Sequence, residues 1–182
     1  MENWRKVALS EVCDLIAGYA FKSKDFGEYT TKVIKITHIT PPSVDMDNLA
    51  GVNIDQYNET KLNKYIACKG DYVLAMTGAT IGKIGRIEKG MAYINQRVLL
   101  FKPTQDIDKD YLYYILQQYD FSQYVISHVD SESAQPNISA GTIGKYEFFL
   151  PPIETQQKIG HLLRTYDQLI EANRQINDNL AA

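Results

Sequence analysis

Near the end of the chain Ile159, Leu162, Tyr166, Leu169, Asn173, Ile176 and Leu180 recur at spacings of 3, 4, 3, 4, 3 and 4. This is the a/d pattern of a heptad helix, whose apolar seam must be buried against another helix. Pro151-Pro152 precedes it as a boundary. Proline is tolerated at a first helical position, and Glu154 falls in the first turn, where the helix dipole favours an acid. Residues 159–182 span roughly 35 Å at about 1.5 Å per residue. Leu163 and Ile170 widen the stripe at e positions, so the first half of the helix can also face a bundle or its own domain. Asn173 is a polar residue within the seam, which costs stability and specifies register. These seven seam residues predict a helix that docks onto a partner helix.

Residues 1–150 predict a β-rich body. Val33-Ile34-Lys35-Ile36-Thr37-His38-Ile39 alternates and is β-branched, as a strand does, and Pro41-Pro42 stops it. Residues 43–63 carry many Asp and Asn and are expected to run over the surface. Gly70-Asp71 is a turn signal before Tyr72-Val73-Leu74-Ala75-Met76, a short buried strand. Three glycines among β-branched residues in 77–87 suit a hairpin or a bulged strand. Tyr93-Ile94 and Val98-Leu99-Leu100-Phe101 add further strands, the second ended by Pro103. Asp108 can cap a helix with Tyr111, Leu112, Ile115, Leu116 and Tyr119 on its apolar face, continuing bent through Phe121, Tyr124 and Val125. Residues 131–139 read as a polar loop and 146–150 as a last strand. The expected fold class is α+β: a β-rich domain followed by a long C-terminal coiled-coil helix, residues 151–182.

The hydrophobic share of 45% excludes general disorder. No apolar run reaches the ~18–20 residues a membrane span requires, so no membrane partner is expected and the location is read as cytoplasmic. Cys13 and Cys68 lie in no metal or redox spacing and read as a reduced pair. His38, His128 and His161 show no local metal pattern, so no metal site is expected. The net charge is −3, yet residues 61–102 hold eight bases against two acids, a balance of +6. Such a basic block can form one positive face on an acidic chain, which is what a polyanion requires.

Motifs for catalysis are missing. The glycine-rich stretch leaves three residues between Gly78 and Gly82 where a phosphate loop has four, and Ile84 follows Lys83 where Ser or Thr belongs. Neither Pro-Pro pair has the Asn/Asp before it and the aromatic after it that an amino-methyltransferase loop shows. Binding chemistry is better represented. Lys22 and Lys24 share one loop. Thr77, Thr80, Lys83 and Arg86 lie in a second region, Asn95-Gln96-Arg97 in a third, and Ser133, Gln135 and Asn137 in a fourth. Lys and Arg can meet phosphates, and Asn, Gln and Arg can bond base edges. Tyr19, Phe21 and Phe26 could pack on sugars or bases, or serve the core.

These segments, in this order, resemble the specificity subunit of type I restriction–modification systems. The resemblance runs along nearly the whole chain. It rests on Trp4 with Leu9 and Val12, on Gly18-Tyr19-Ala20-Phe21-Lys22-Ser23, on the run from Gly70 to Lys83, and on Asn95-Gln96-Arg97. Its most specific part is Leu150-Pro151-Pro152-Ile153-Glu154-Thr155-Gln156-Gln157-Lys158-Ile159, similar to that family's junction into its spacer helix. Thr155 stands where a Glu is usual, and Gln156 is kept.

The resemblance implies a non-catalytic target recognition domain, residues 1–150, that reads double-stranded DNA over three to five base pairs. A conserved spacer and dimerisation helix, residues 151–182, would follow it. Members usually carry two such domains with paired antiparallel helices that set the spacing between two half-sites. They bind no S-adenosylmethionine or other cofactor themselves. The modification subunit, an adenine methyltransferase, and through it the restriction subunit, are the implied partners. With one domain and one helix, the chain reads as a half-subunit pairing with a second copy, or as one half of a longer subunit. The alternatives are the recognition tail of a fused restriction–methyltransferase enzyme and a coiled-coil adaptor without DNA binding.

Overall fold

The structure is a computed structural model that describes residues 4–130 and 136–181. In chain order the elements begin with β1 (Arg5–Ala8), α1 (Leu9–Val12), β2 (Cys13–Ala17), β3 (Phe26–Ile34), β4 (Ile39–Thr40), β5 (Ser43–Val44), β6 (Ala50–Val52) and α2 (Glu59–Leu62). The middle holds β7 (Ile66–Cys68), β8 (Tyr72–Ala75), β9 (Ile84–Arg86), β10 (Met91–Ile94) and β11 (Val98–Pro103). The chain closes with α3 (Lys109–Leu116), α4 (Tyr119–Ser127), α5 (Ala140–Gly144), β12 (Glu147–Leu150) and α6 (Ile153–Ala181). The fold class is α+β.

A six-stranded sheet of order β2-β11-β8-β9-β5-β4 is the central layer, and a four-stranded sheet has the order β6-β3-β10-β7. β1 pairs separately with β12. Along β8 and β11 alternate residues serve two different cores. Tyr72, Leu74, Leu99 and Phe101 join a cluster with residues of α1, α3, α4 and α5. Val73, Ala75, Val98 and Leu100 join a second cluster with Ile34, Ala67, Ala92 and Ile94 of the four-stranded sheet. A strand buried on both faces reads as an unbroken apolar run, which is why these two are evident in the sequence. A third cluster, with Phe21, Val33, Val52 and Leu62, covers the outer face of the four-stranded sheet.

Two local expectations need correction. Residues 33–39 are not one strand: β3 ends at Ile34, and Ile36–His38 forms a 3-10 turn before β4. In that turn the Lys35 N–H donates to His38 Nδ1 at 3.0 Å. Residues 43–63 do not wander over the surface: Val44, Leu49, Val52 and Leu62 are buried. Their Asp and Asn residues shape turns and caps instead. Asp45 accepts from the N–H groups of Asp47 and Asn48 at 3.1 and 3.3 Å, and Asn58 caps α2 by accepting from Lys61 N–H at 3.0 Å.

The Asp108 cap is present, with Oδ1 accepting from Tyr111 N–H at 2.9 Å. The apolar helix it starts breaks after Leu116 and resumes as α4. Both cysteines are free. Cys13 is buried in the first core, and burial pushes its thiol up to about 12. Among the described residues no helix is long and apolar enough to cross a membrane.

α6 lies with its first turns on α3, and the contact is close. A Cβ on Gly160 would stand 2.7 Å from Asp108 Oδ1 and 2.8 Å from Tyr111 N, so only glycine admits this approach. Further along, the Tyr114 hydroxyl donates to Asp167 Oδ2 at 2.6 Å, and Arg164 lies 3.8 Å from the Glu88 carboxylate. The body-facing edge of α6 is therefore Gln156, Gly160, Arg164 and Asp167, a polar and small stripe invisible to hydrophobic periodicity. Of the heptad residues, Ile159 packs against the first core. Leu162, Tyr166, Leu169, Asn173, Ile176 and Leu180 are exposed, as is every residue from Gln168 to Leu180.

Candidate nucleic-acid interface

Three of the polar segments separated in sequence meet at one end of the central sheet. β2 runs out at Ala17, and Gly18 then passes under the β10–β11 turn so closely that a Cβ would lie 2.1 Å from the Asn95 carbonyl oxygen. Gly18 N–H donates to Val98 O at 2.9 Å, Tyr19 N–H to Ile94 O at 3.0 Å, and Gln96 N–H to Tyr19 O at 2.8 Å. The loop carrying Lys22 and Lys24 is thereby anchored beside Asn95-Gln96-Arg97. On the other side of the turn, Met76 N–H donates to Arg97 O at 2.8 Å.

The loop after α4 completes the group. Ile138 N–H donates to Met76 O at 3.0 Å and Gly78 N–H to Pro136 O at 3.2 Å. The Thr77 hydroxyl donates to the same carbonyl at 2.7 Å, and Arg97 Nη1 donates to Asn137 Oδ1 at 3.1 Å. Residues 18–24, 76–80, 95–97 and 136–138 thus form one hydrogen-bonded surface, although the chain visits them far apart.

Within it the side chains divide by role. Lys22, Lys24, Gln96 and Arg97 are exposed and able to meet a ligand, as is Lys83, which follows the 76–80 segment in the chain. Thr77 is only 4% exposed, and its hydroxyl is committed to Pro136. The Thr80 hydroxyl turns back to Thr77 O at 3.3 Å. Asn95 Oδ1 is buried without a hydrogen-bond partner. Ser133 and Gln135 lie outside the described residues.

Arg86 sits elsewhere, at the α6 junction. Its guanidinium lies over the Tyr72 ring, 5.5 Å from the centroid, and 3.7 and 3.9 Å from carboxylate oxygens of Asp110 and Glu88. Those separations are ionic contacts without a hydrogen bond, and Nε and Nη1 are buried. The basic block is therefore partly neutralised by acids of the same chain: besides Arg86, Lys102 pairs with the buried Asp71, and Lys89 pairs with Asp47 at the surface.

The support beneath the Lys22 loop escaped sequence reasoning. Asp25 is buried in the 3-10 turn Ser23–Asp25 and accepts from the Tyr57 hydroxyl and from Gln56 Nε2. The Tyr57 hydroxyl leads in holding the Asp25 carboxyl below its ordinary value; Gln56 and the neighbouring Lys24 and Lys22 add to this, against the opposing effect of desolvation. Lys22 N–H in turn donates to the Tyr57 oxygen at 3.3 Å. Below them Tyr19, Phe21, Phe26 and Tyr57 form edge-to-face contacts, so these aromatics serve the body. The Asp25–Tyr57 pairing spans 32 residues, and no short-range pattern marks it.

The chain is thus a β-rich α+β body that gathers exposed basic and amide side chains at one sheet end and carries a long helix. The chain belongs to the type I restriction modification DNA specificity domain family, whose model matches residues 1–182. It is 29% identical, over 98% of its length, to the type I restriction enzyme MjaVIII specificity subunit of Methanocaldococcus jannaschii, covering 43% of that protein. Over 59% of its length it is 30% identical to the MjaIX specificity subunit of the same organism, covering 24% of it. The fold is similar to a chain from a structure of a type I restriction–modification system, with a TM-score of 0.72 at 18% identity, covering 96% of this chain and 41% of that one. It is also similar to the HsdS subunit from Thermoanaerobacter tengcongensis, with a TM-score of 0.66 at 20% identity, covering 93% and 39%. The chain thus spans under half the length of these relatives.

Proposed function

We propose that this chain is the DNA-reading unit of a type I restriction–modification specificity subunit, acting without catalysis of its own. Residues 1–150 bind double-stranded DNA and read one half of an interrupted site. Residues 151–182 form the spacer helix, which pairs with a helix of a second recognition unit, either a second copy of this chain or a second half. The modification subunit docks on this assembly and methylates adenine, the restriction subunit joins through it, and the whole acts in the cytoplasm without a cofactor on this chain. The observation that carries the reading is the joining of four polar loops at one sheet end, with Lys22, Lys24, Lys83, Gln96 and Arg97 exposed. Cationic side chains there can neutralise phosphates while amide and guanidinium groups reach base edges.

The test is duplex binding across a salt series, with Lys22, Lys24 and Lys83 each changed to Ala. The wild-type affinity is expected to fall steeply with salt, and each substitution to reduce the logarithmic slope by about one. A flat salt dependence would favour an adaptor that pairs helices and leaves DNA alone. In cells, the same reading expects one methylated-adenine motif to vanish when the chain is deleted; an unchanged methylation map would refute it.

A further inference from the structure

Arg97 occupies a backbone conformation that disfavours any side chain. Its φ is 72°, and it is the one non-glycine residue with positive φ among the described residues. The turn it sits in is closed by Val98 N–H donating to Asn95 O at 3.0 Å. Gln96 keeps a negative φ while Arg97 does not, the pattern of a type II turn, whose third position ordinarily holds glycine or asparagine. Strained residues of this kind persist where their surroundings hold them, and they gather at functional sites.

The surroundings hold both ends of Arg97. Its carbonyl accepts from Met76 N–H, and its Nη1 donates to Asn137 Oδ1 at 3.1 Å. Asn137 is itself fixed by its backbone, bridged to both Thr77 and Asp130. A guanidinium carries five N–H donors in one plane. Among the described residues Arg97 spends only this single bond, forms no ion pair with a carboxylate, and is exposed. A neutral carboxamide therefore grips one corner of the fork and leaves its charge and a two-donor edge available. Such an edge matches O6 and N7 of guanine in the major groove, the commonest specific contact between protein and DNA. Lys22 and Lys24, exposed on the loop anchored to the same turn, suit the neighbouring phosphates.

We propose that Arg97 reads a guanine in the major groove, and that Asn137 is the positioning residue that aims its guanidinium. The proposal rests on the DNA-reading function above and names the residue and the base.

The test is selection of bound duplexes from a randomised pool by the intact protein carrying this chain, with wild type, Arg97→Gly, Arg97→Lys and Asn137→Ala compared. Arg97→Gly relieves the backbone, so its thermal midpoint should be equal or higher, which separates recognition from folding. At one G·C pair its preference should drop by about tenfold or more, with preferences at other positions retained. Arg97→Lys should not restore it, because an ammonium has no planar edge. Asn137→Ala should lower the preference for that guanine more than it lowers affinity for unrelated duplex; a merely structural role would lower both alike.

Unchanged base preferences in Arg97→Gly, or a wild type that selects no guanine, would overturn the inference while leaving DNA reading intact. A wild type that binds no duplex would overturn both. An Asn137→Ala protein with the wild-type guanine preference would remove Asn137 from the proposal.

Discussion

The backbone N–H of Asp108 donates to Oε1 of Gln156 at 2.8 Å, tying the cap of α3 to the first turn of α6. The same buried amide donates through Nε2 to Pro151 O at 2.8 Å and to Asp106 O at 3.2 Å. One side chain thus satisfies three backbone groups where strand, loop and two helices meet.

Gln156→Leu keeps the volume and strands those three groups, so it should destabilise the body by about 2–3 kcal/mol in urea denaturation. Gln156→Glu should not rescue it, because a carboxylate would face two carbonyls. Wild-type stability in either variant would contradict this account of the junction.

Gly160→Ala sets two effects against each other. Alanine favours the helix by about 1 kcal/mol. Its Cβ, however, would meet Asp108 Oδ1 and Tyr111 N at 2.7 and 2.8 Å, and overpacking of this kind costs about 1–3 kcal/mol. Because one contact is backbone, the clash should win. The expected result is a lower midpoint together with faster tryptic cleavage after Arg164, as α6 lifts from α3.

Asp71 is expected to contribute to acid sensitivity. Burial pushes its carboxyl up, but hydrogen bonds from Lys102 (2.6 Å), Cys68 N–H (2.9 Å) and Lys109 (2.9 Å) outweigh burial and hold it below its ordinary value of 3.8. A carboxyl lower in the folded than in the unfolded state adds stability that is fully present above the unfolded value and lost as pH falls through the folded one. Wild type should therefore weaken progressively as pH drops below about 4. Asp71→Asn should be less stable at pH 7 and lose part of that acid dependence. Parallel stability–pH curves for the two proteins would contradict this.

The exposed seam of α6 predicts a separation of association from folding. Leu169 and Ile176 touch solvent in the single chain, so Leu169→Asp or Ile176→Asp should leave the thermal midpoint of the body unchanged. Light scattering or co-purification with a second recognition unit should show weakened association. Association equal to wild type would exclude the seam.

Much of the architecture was legible in the sequence, and for identifiable reasons. Tyr72–Ala75 and Val98–Phe101 read as buried strands because both faces of each are apolar. Asp108 read as a cap because its short side chain sits ahead of an apolar helical face. The heptad read as a helix needing cover, and several motifs in the right order carried the family. Periodicity reports where apolar side chains must be buried, and these elements depend on little else.

Polar side chains obey no such rule, because their partners are chosen by the packing of distant elements. Thr77 and Arg86 look as suited to a ligand as Lys22 and Arg97 do, yet the fold commits the first to Pro136 and the second to Asp110 and Glu88. The stripe Gln156, Gly160, Arg164 and Asp167, which seats α6 on the body, is silent for the same reason. So is the meeting of Gly18, Met76, Asn95 and Asn137, which arises only once β2, β11 and β8 lie side by side. By itself the sequence determined the strands buried on both faces, the Asp108 cap, the family and a helix with an apolar seam. Only the tertiary structure decided which polar residues face outward, because hydrogen bonds between segments are set by sheet order and close backbone approach, and neither is written in a local pattern.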